Sequence, residues 1–151
     1  MPDNIEIHPE AAVAPGYLAN HAARVFNRSV DARLREHGLT LALIGPLLLL
    51  SWKGSMLQRD LVRASAVKQP AMVALLDRLE TMKLIEREVL ASDRRAATVR
   101  LTASGKDAAA LGRAVLLEIN ALGVTGFSEE DATRFVAYLQ RLIANLESPP
   151  A

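Results

Sequence analysis

The stretch that decides the fold of this chain is IEREVLASDRRAATVRL, residues 85–101. Apolar and charged residues mostly alternate over residues 85–89, and the alternation is strict over residues 97–101. A period of two is typical of a strand with one buried face, and the polar residues 92–95 between the two runs indicate a turn. The stretch therefore predicts a β-hairpin.

Helical patterns flank the hairpin on both sides, with apolar residues spaced three and four apart. Thr40 and Thr102 are suitable N-cap residues, and Ser128 followed by an acid three residues on is a further capping signal. The predicted helices cover residues 18–36, 41–52, 55–64, 68–82, a stretch after Thr102 and a stretch after Ser128, with a tight turn at Ser65-Ala66. A helix–turn–helix followed by a two-stranded ribbon predicts a winged helix in a mostly α-helical chain.

Three of these helices carry further expectations. The first has two apolar stripes, which indicates burial on two sides. Pro46 removes a backbone donor from the second, so we expect a kink or a delayed start there. The side chains expected to face inward from the helix over residues 68–82 are Val73, Leu76 and Leu79 or Glu80.

The composition excludes several classes of protein. Half of the 151 residues are hydrophobic and 23% are charged, which is the balance of one globular domain. Cysteine is absent, so disulfides, thiolate metal sites and thiol redox sensing are excluded. The three histidines are scattered, and we expect no metal, no cofactor and no catalytic residue.

The sequence also gives an expectation about location. The longest apolar stretch, Leu39 to Leu50, has about 12 residues, where a membrane span needs roughly 20. No apolar secretory signal is visible at the start of the sequence. We therefore expect a cytoplasmic protein with no membrane partner.

The net charge conceals an uneven distribution. The total is +1, from 18 Lys and Arg against 17 Asp and Glu. Residues 53–106 hold 11 of the basic and 6 of the acidic residues, a net charge of +5, and the remainder carries −4. A basic patch confined to the helix–turn–helix and the hairpin is the electrostatic pattern of a DNA-binding face.

The same central region resembles a known family. Residues 67–80, VKQPAMVALLDRLE, resemble the helix–turn–helix of MarR-type transcriptional regulators. The runs LIER at 84–87, SDRRA at 92–96 and LTASG at 101–105 resemble that family's wing and the helix entry after it. Gln69-Pro70 and the SDRRA run are most similar to the SlyA-like branch. The resemblance implies a homodimer that binds double-stranded DNA, usually a repressor, with a small-molecule site between the lobe and the dimer helices.

The sequence also predicts a domain organisation. The first 15 residues carry three prolines and no periodic pattern, and the flanking helices carry more apolar surface than one small domain needs. A flexible N-terminal arm, residues 1–15, precedes one domain over residues 16–151. Within it, residues 39–105 form the winged-helix lobe, and residues 16–38 and 106–147 form dimerisation helices. The residues expected at the dimer interface are Leu18, Ala22, Val25, Phe135, Leu139, Leu142 and Leu146.

The helix from Lys68 is expected to enter the major groove, because a recognition helix meets base edges with its N-terminal residues. Gln69 can form two hydrogen bonds with adenine, and Lys68 can reach a phosphate or a guanine. Ala71 and Met72 can touch thymine methyl groups. The contacts expected from this helix are Lys68, Gln69, Pro70, Ala71, Met72 and Arg78.

Further along this helix, Arg78 is expected to reach a phosphate or to pair with Asp77. The chain departs from its relatives nearby. Ala71 stands where relatives often carry Ser or Thr, and Ala74 stands where many SlyA-like members carry an Arg worth about 1–3 kcal/mol in base reading. Lys83 stands where Gly is usual, so the turn after the helix is expected to be strained or differently shaped.

The hairpin tip is expected to carry Asp93, Arg94 and Arg95 to the DNA. An arginine at such a tip can enter the minor groove, where narrow A·T-rich stretches concentrate negative potential. Asp93 and Arg95 match the family pattern of Asp, any residue, Arg. Asp93 is therefore expected to orient Arg95 by an ion pair, and the alternative is a solvated turn.

A ligand site is implied by the first two helices. Relatives bind aromatic acids with a basic side chain from the first helix, and Arg24 matches one such Arg in the SlyA-like branch. His21 lies one turn away, and Ile44 and Leu48 would form an apolar wall for a small aromatic or other carboxylate effector. The alternative for Arg24 is an ion pair between subunits.

Two other classes of protein remain as alternatives. A winged helix can also serve as a protein-interaction adaptor without specific DNA binding, and the absence of an Arg at position 74 keeps this open. An enzyme is disfavoured, because the sequence has no nucleophile motif, metal-ligand spacing or phosphate-binding loop.

Overall fold

The structure, a computed structural model, describes residues 6–65, 67–90 and 93–149, without the side chains of residues 90 and 93–95. The chain forms two compact units, residues 1–119 and residues 120–151. The predicted fold class is confirmed, because helices predominate and the strands form one small antiparallel sheet. The elements are a 3-10 helix Ala11–Val13, α1 Pro15–Arg35, α2 Leu41–Lys53, β1 Met56–Leu57, α3 Gln58–Ala64, α4 Gln69–Thr81, β2 Ile85–Leu90, β3 Asp93–Leu101, α5 Ala103–Gly123 and α6 Glu129–Glu147.

Helix α1 begins earlier than its apolar pattern predicts. Pro15 starts it, because proline is tolerated in a first turn, and a 3-10 helix precedes it within the predicted arm. Residues 1–5 of that arm lie outside the described part of the chain. One predicted stripe packs inward, with Val30 and Leu34 buried and Phe26 half-buried. The other stripe consists of residues 18, 22, 25, 29 and 32. Its exposed members are Leu18, Ala22, Val25 and Ala32, and Ser29 is half-buried.

Helix α2 supplies much of the core of the first unit. Its predicted N-cap is confirmed, since the Thr40 hydroxyl accepts a hydrogen bond from the Leu43 amide at 3.2 Å. The helix runs unbroken past the buried Pro46, so its start is not delayed. Its inward side chains are Leu43, Ile44, Leu47 and Leu50. Full burial of a side chain of this size stabilises the fold by about 1.5–3 kcal/mol.

The sheet contains a strand that the sequence patterns did not predict. Met56 and Leu57 form β1 and pair with Val99 and Thr98 of β3. The helix predicted over residues 55–64 is therefore wrong at its start, and only Gln58–Ala64 is helical. A two-residue strand has no periodicity of its own, and its partner lies about forty residues away in the sequence.

The predicted hairpin is confirmed, but its turn is shorter than the polar run indicated. β2 and β3 are antiparallel from Ile85 opposite Leu101 to Leu90 opposite Asp93. Residues 93–95 therefore belong to β3 rather than to the turn, and Ser92 of the predicted turn lies outside the described residues. Strand pairing joins backbone groups, so a polar run can lie within a paired ribbon as well as in a turn.

Helix α4 occupies residues 69–81, as the pattern predicts, with Lys68 and Met82 as its caps. Its buried face is Met72, Leu76 and Leu79, spaced four and three apart. Val73, which was predicted to face inward, is only half-buried.

The turn after α4 is strained, as expected from Lys83. This residue has a φ of 61°, in the left-handed region that favours glycine. The Lys83 amide donates to the Glu80 carbonyl at 2.9 Å, and the Leu84 amide donates to the Leu79 carbonyl at 3.0 Å. These two bonds form a Schellman motif, in which the residue after the C-cap must adopt this conformation.

A close junction joins this turn to the start of α5. The Thr102 hydroxyl donates to the Lys83 carbonyl at 2.7 Å and accepts from the Gly105 amide at 3.0 Å. A Cβ at Gly105 would lie 1.9 Å from the Leu84 carbonyl oxygen, so only glycine fits. The predicted capping role of Thr102 is confirmed, and one hydroxyl ties the end of α4 to α5.

In the second unit, the N-cap predicted at Ser128 is confirmed. Its hydroxyl accepts from the Asp131 amide at 3.0 Å, and Phe127 packs edge-on against Phe135 with ring centroids 5.8 Å apart. None of the residues of α6, all of which are described, is buried. Its apolar side chains are exposed or half-buried, with Leu146 at 73% exposure.

Candidate nucleic-acid interface

The first turn of α4 is open to solvent. Lys68, Gln69, Pro70 and Ala71 are all exposed, and Pro70 occupies the first turn, where its missing amide costs no helical hydrogen bond. The side chains predicted to read DNA from this turn are therefore available to a partner.

Met72 does not belong to that surface. Its side chain is 1% exposed and packs in the core one turn before Leu76. The prediction that Met72 touches thymine methyl groups is wrong, because the helical repeat places residue 72 on the buried stripe.

The middle of α4 presents a face with Ala74 near its centre. Helical geometry places Pro70, Asp77, Arg78 and Ala71 around it, and all five residues are exposed. Among the described residues, Asp77 pairs with Arg87, and no ion pair joins it to Arg78. The predicted Asp77–Arg78 pair is therefore absent from this part of the chain, and Arg78 is exposed.

Arg87 of β2 binds two carboxylates of α4. Its Nη2 donates to Asp77 Oδ1 at 2.6 Å and to Glu80 Oε1 at 3.1 Å, and its Nε donates to Glu80 Oε2 at 3.2 Å. The Arg87 side chain is 17% exposed. The hydrogen bonds that Glu80 accepts from Arg87 lower the pKa of Glu80, and the bonds that Arg87 donates to Glu80 and Asp77 raise the pKa of Arg87.

Sequence reasoning missed this cluster, although a signal for it exists. Ile85, Arg87 and Val89 have the same parity in the alternating run, so Arg87 is a charged residue at an apolar position. Such a residue needs a partner from another element, because burial of an unpaired charge is costly. On the other parity, Glu86 pairs with Arg100 of β3 at 2.7 Å, with both side chains 58% exposed.

At the tip of the wing the structure describes the backbone of residues 93–95. Asp93, Arg94 and Arg95 lie at the start of β3, next to the hairpin turn, and their side chains are outside the described part of the structure. The ion pair expected between Asp93 and Arg95 therefore stays a prediction.

The predicted ligand residues are only partly accessible. His21 and Arg24 are exposed on α1, where His21 stacks on Tyr17 with centroids 6.3 Å apart. Leu48 is half-buried, but Ile44 is fully buried. The prediction that Ile44 forms a wall of the ligand site is wrong. Its side chain fills the space against α5 at Gly112, where an added Cβ would lie only 3.1 Å from it.

A cavity of about 530 Å³ lies elsewhere on the first unit. Its lining combines the end of α2 with the end of β3 and the first turn of α5. None of the four predicted ligand residues lines it. The lining residues are Leu50, Ser51, Gly54, Ser55, Arg100, Leu101 and Lys106.

An exposed helix in a basic helix–turn–helix, followed by a paired hairpin, defines the winged-helix DNA-binding fold of transcriptional regulators. The family model described as MarR family matches residues 39–97. This chain belongs to the MarR family, whose members are transcriptional regulators rather than enzymes. Homodimers and repressors are typical of the family.

Solved structures agree over most of the chain. The transcriptional regulator PA3341 is 32% identical, with 87% of this chain and 97% of that chain covered and a TM-score of 0.72. MepR of S. aureus, solved in complex with DNA, is 25% identical, with 87% and 98% covered and a TM-score of 0.78. BpsR of Bordetella bronchiseptica, solved to explain regulation of its DNA binding by 6-hydroxynicotinic acid, shares the fold at 23% identity, with 84% and 96% covered and a TM-score of 0.76.

No helix in the described residues is long and apolar enough to cross a membrane.

Proposed function

We propose that this protein is a homodimeric transcriptional repressor that binds a pseudo-palindromic DNA operator. The observation that carries the proposal is the exposed first turn of α4 within a region of net charge +5. In the proposed complex α4 lies in the major groove and the hairpin lies in the minor groove. MepR, which has the same fold, was solved in complex with DNA, and this supports DNA as the partner.

The test measures, by fluorescence anisotropy, the binding of the protein to the DNA upstream of its own gene. Affinity should fall steeply as salt rises, because each phosphate contact releases counterions. Gln69→Ala should weaken specific binding by about 1–3 kcal/mol, the range of a bidentate base contact. The matched control is Gln140→Ala on exposed α6, which should bind as the wild type does. No binding, or binding that salt leaves unchanged, would favour the adaptor function instead.

The wing is proposed to bind through Arg95. Arg95→Ala should weaken operator binding strongly, with little change in melting temperature, because a minor-groove arginine acts on the DNA rather than on the core. Unchanged affinity would remove the wing from the proposed interface.

The proposed dimer uses the apolar faces that each unit exposes. In α1, Leu18 and Val25 are 45% and 39% exposed, and in α6 Leu146 is 73% exposed. Exposed apolar surface of this kind marks interaction sites. Leu146→Asp should shift the molar mass measured by light scattering toward the monomer, and Val89→Asp, on the exposed hairpin, should not. A two-fold dimer would place its recognition helices about one DNA turn, roughly 34–36 Å, apart.

A small carboxylate effector is proposed to bind near Arg24 and to relieve repression. The support is the exposed guanidinium on α1, with His21 beside it and Leu48 half-buried on α2. BpsR, which is regulated by a pyridine carboxylic acid, has the same fold. Titration with aromatic acids should lower the DNA affinity of the wild type and leave that of Arg24→Ala unchanged. An equal response of both proteins would exclude Arg24.

A further inference from the structure

Arg87 occupies an unusual position for a charged residue. Strand β2 places it opposite Val99, which is fully buried, and on the same face as Ile85, which is 1% exposed. This is the side of the hairpin that contacts α4. The stem of Arg87 therefore lies along the core and its guanidinium emerges at the edge of α4, in the manner of a long side chain that keeps its charge near water.

The guanidinium of Arg87 forms its hydrogen bonds with the recognition helix, α4. Two of its three nitrogens donate to Asp77 and Glu80, and the pair with Glu80 has the two-bond geometry that makes arginine–carboxylate contacts strong. These bonds use the Nε donor and both donors of Nη2, and they hold the guanidinium against α4.

The two carboxylates are exposed on the helix that is proposed to face the DNA phosphates. Asp77 is 61% exposed on the face of α4 centred on Ala74, and Glu80 is 43% exposed one turn further. Phosphates close to this face would repel both charges, and the repulsion acts over about 10 Å at 0.1 M salt. A DNA-reading helix with two uncancelled carboxylates would oppose its own binding.

We infer that Arg87 raises the DNA affinity of this protein without contacting DNA, by balancing one of the two negative charges that Asp77 and Glu80 place on the recognition helix. Arg87 is thus a positioning and charge-balancing residue of the hairpin. The inference rests on the proposed DNA binding. It adds that the DNA affinity depends on Arg87, although the Arg87 side chain is directed at α4 and not at the DNA.

The test is a double-mutant cycle of Arg87→Met and Glu80→Gln, with operator affinity as the readout. Arg87→Met should lower affinity about tenfold at low salt, and the difference should shrink as salt screens the exposed carboxylates. Glu80→Gln removes one negative charge and should raise affinity in the wild type, where one Arg87 balances only one of the two carboxylates. In the Arg87→Met background the same substitution should restore most of the lost affinity. The signature is that affinity follows the net charge of the cluster, so the double variant should bind about as the wild type does.

Two further variants separate charge from geometry. Arg87→Lys keeps the charge but not the paired hydrogen bonds, and it should bind within about threefold of the wild type. It also provides the test if Arg87→Met does not fold, as judged by circular dichroism. The matched control is Arg100→Met with Glu86→Gln, since that pair joins the two strands of the hairpin without involving α4. It should show no comparable restoration.

The outcomes distinguish this inference from the proposed function. If the wild type does not bind the operator, the proposed function fails first. If the wild type binds and Arg87→Met binds equally well, the inference is overturned. It is also overturned if Glu80→Gln restores nothing, because Arg87 would then act by direct contact or by structure alone, or if Arg87→Lys loses as much affinity as Arg87→Met.

Discussion

Replacing Lys83 with glycine is expected to stabilise the protein, because Lys83 is held in a left-handed conformation with φ 61°. This conformation costs a residue with a Cβ about 1–2 kcal/mol. Glycine removes that cost but gives the unfolded chain more freedom, which offsets about 0.4–1 kcal/mol. The expected gain in the free energy of unfolding is therefore about 0.5–1 kcal/mol, or about 1–4 °C in melting temperature for a chain of this size.

The assay is chemical and thermal denaturation at one fixed protein concentration, since association would change apparent stability. Lys83→Ala is the decisive control, because alanine removes the charge and the long side chain but keeps the Cβ, and it should give no gain. Lys106→Gly in the first turn of α5 should instead lower stability by about 0.5–1 kcal/mol, the usual cost of glycine in a helix. If Lys83→Gly and Lys83→Ala have the same stability, conformational strain at this position does not explain the effect and the reasoning is refuted.

Two further predictions concern the same lobe. Gly105→Ala should destabilise the protein by about 3 kcal/mol or more, since the new Cβ would lie 1.9 Å from the Leu84 carbonyl oxygen, while Gly45→Ala, with nothing within 4 Å, should not. Comparable unfolding curves for the two variants would contradict the close contact. Arg87 lowers the pKa of Glu80 below 4.5, so the stabilisation from this pair is present above that value and is lost as pH falls through the folded pKa. Glu80→Gln should therefore flatten the acid limb of stability against pH, by less than about 1 kcal/mol at this exposure, and an unchanged limb would show that the pair does not contribute.

The features that sequence predicted well are those with long periodic patterns. The hairpin was predicted from alternation, and the core positions Leu76 and Leu79 from helical spacing. The caps at Thr40, Thr102 and Ser128 were predicted from residue type. In each case the evidence lies within a few residues, so the local sequence contains it.

The errors share one physical cause, which is packing between distant segments. Met72 was assigned to the DNA-facing surface because the N-terminal residues of a recognition helix meet base edges, but its burial depends on the core around Leu76. Ile44 was assigned to a pocket wall, but Gly112 lets that side chain fill the space against α5. The partners of Arg87 lie seven and ten residues earlier on another element, and only the folded contact reveals them.

The junction at Thr102 has a mechanical consequence. The Thr102 amide donates to the Leu84 carbonyl at 3.0 Å, its hydroxyl donates to the Lys83 carbonyl, and Gly105 lets the two backbones approach closely, so backbone groups join the end of α4 to the start of α5. A rotamer change cannot absorb a displacement there, so a rotation of the first turn of α5 must carry the end of α4 with it. A movement of α5 would then be transmitted to α4, the recognition helix. Substitutions at Lys83 would change how rigidly the two helices are joined.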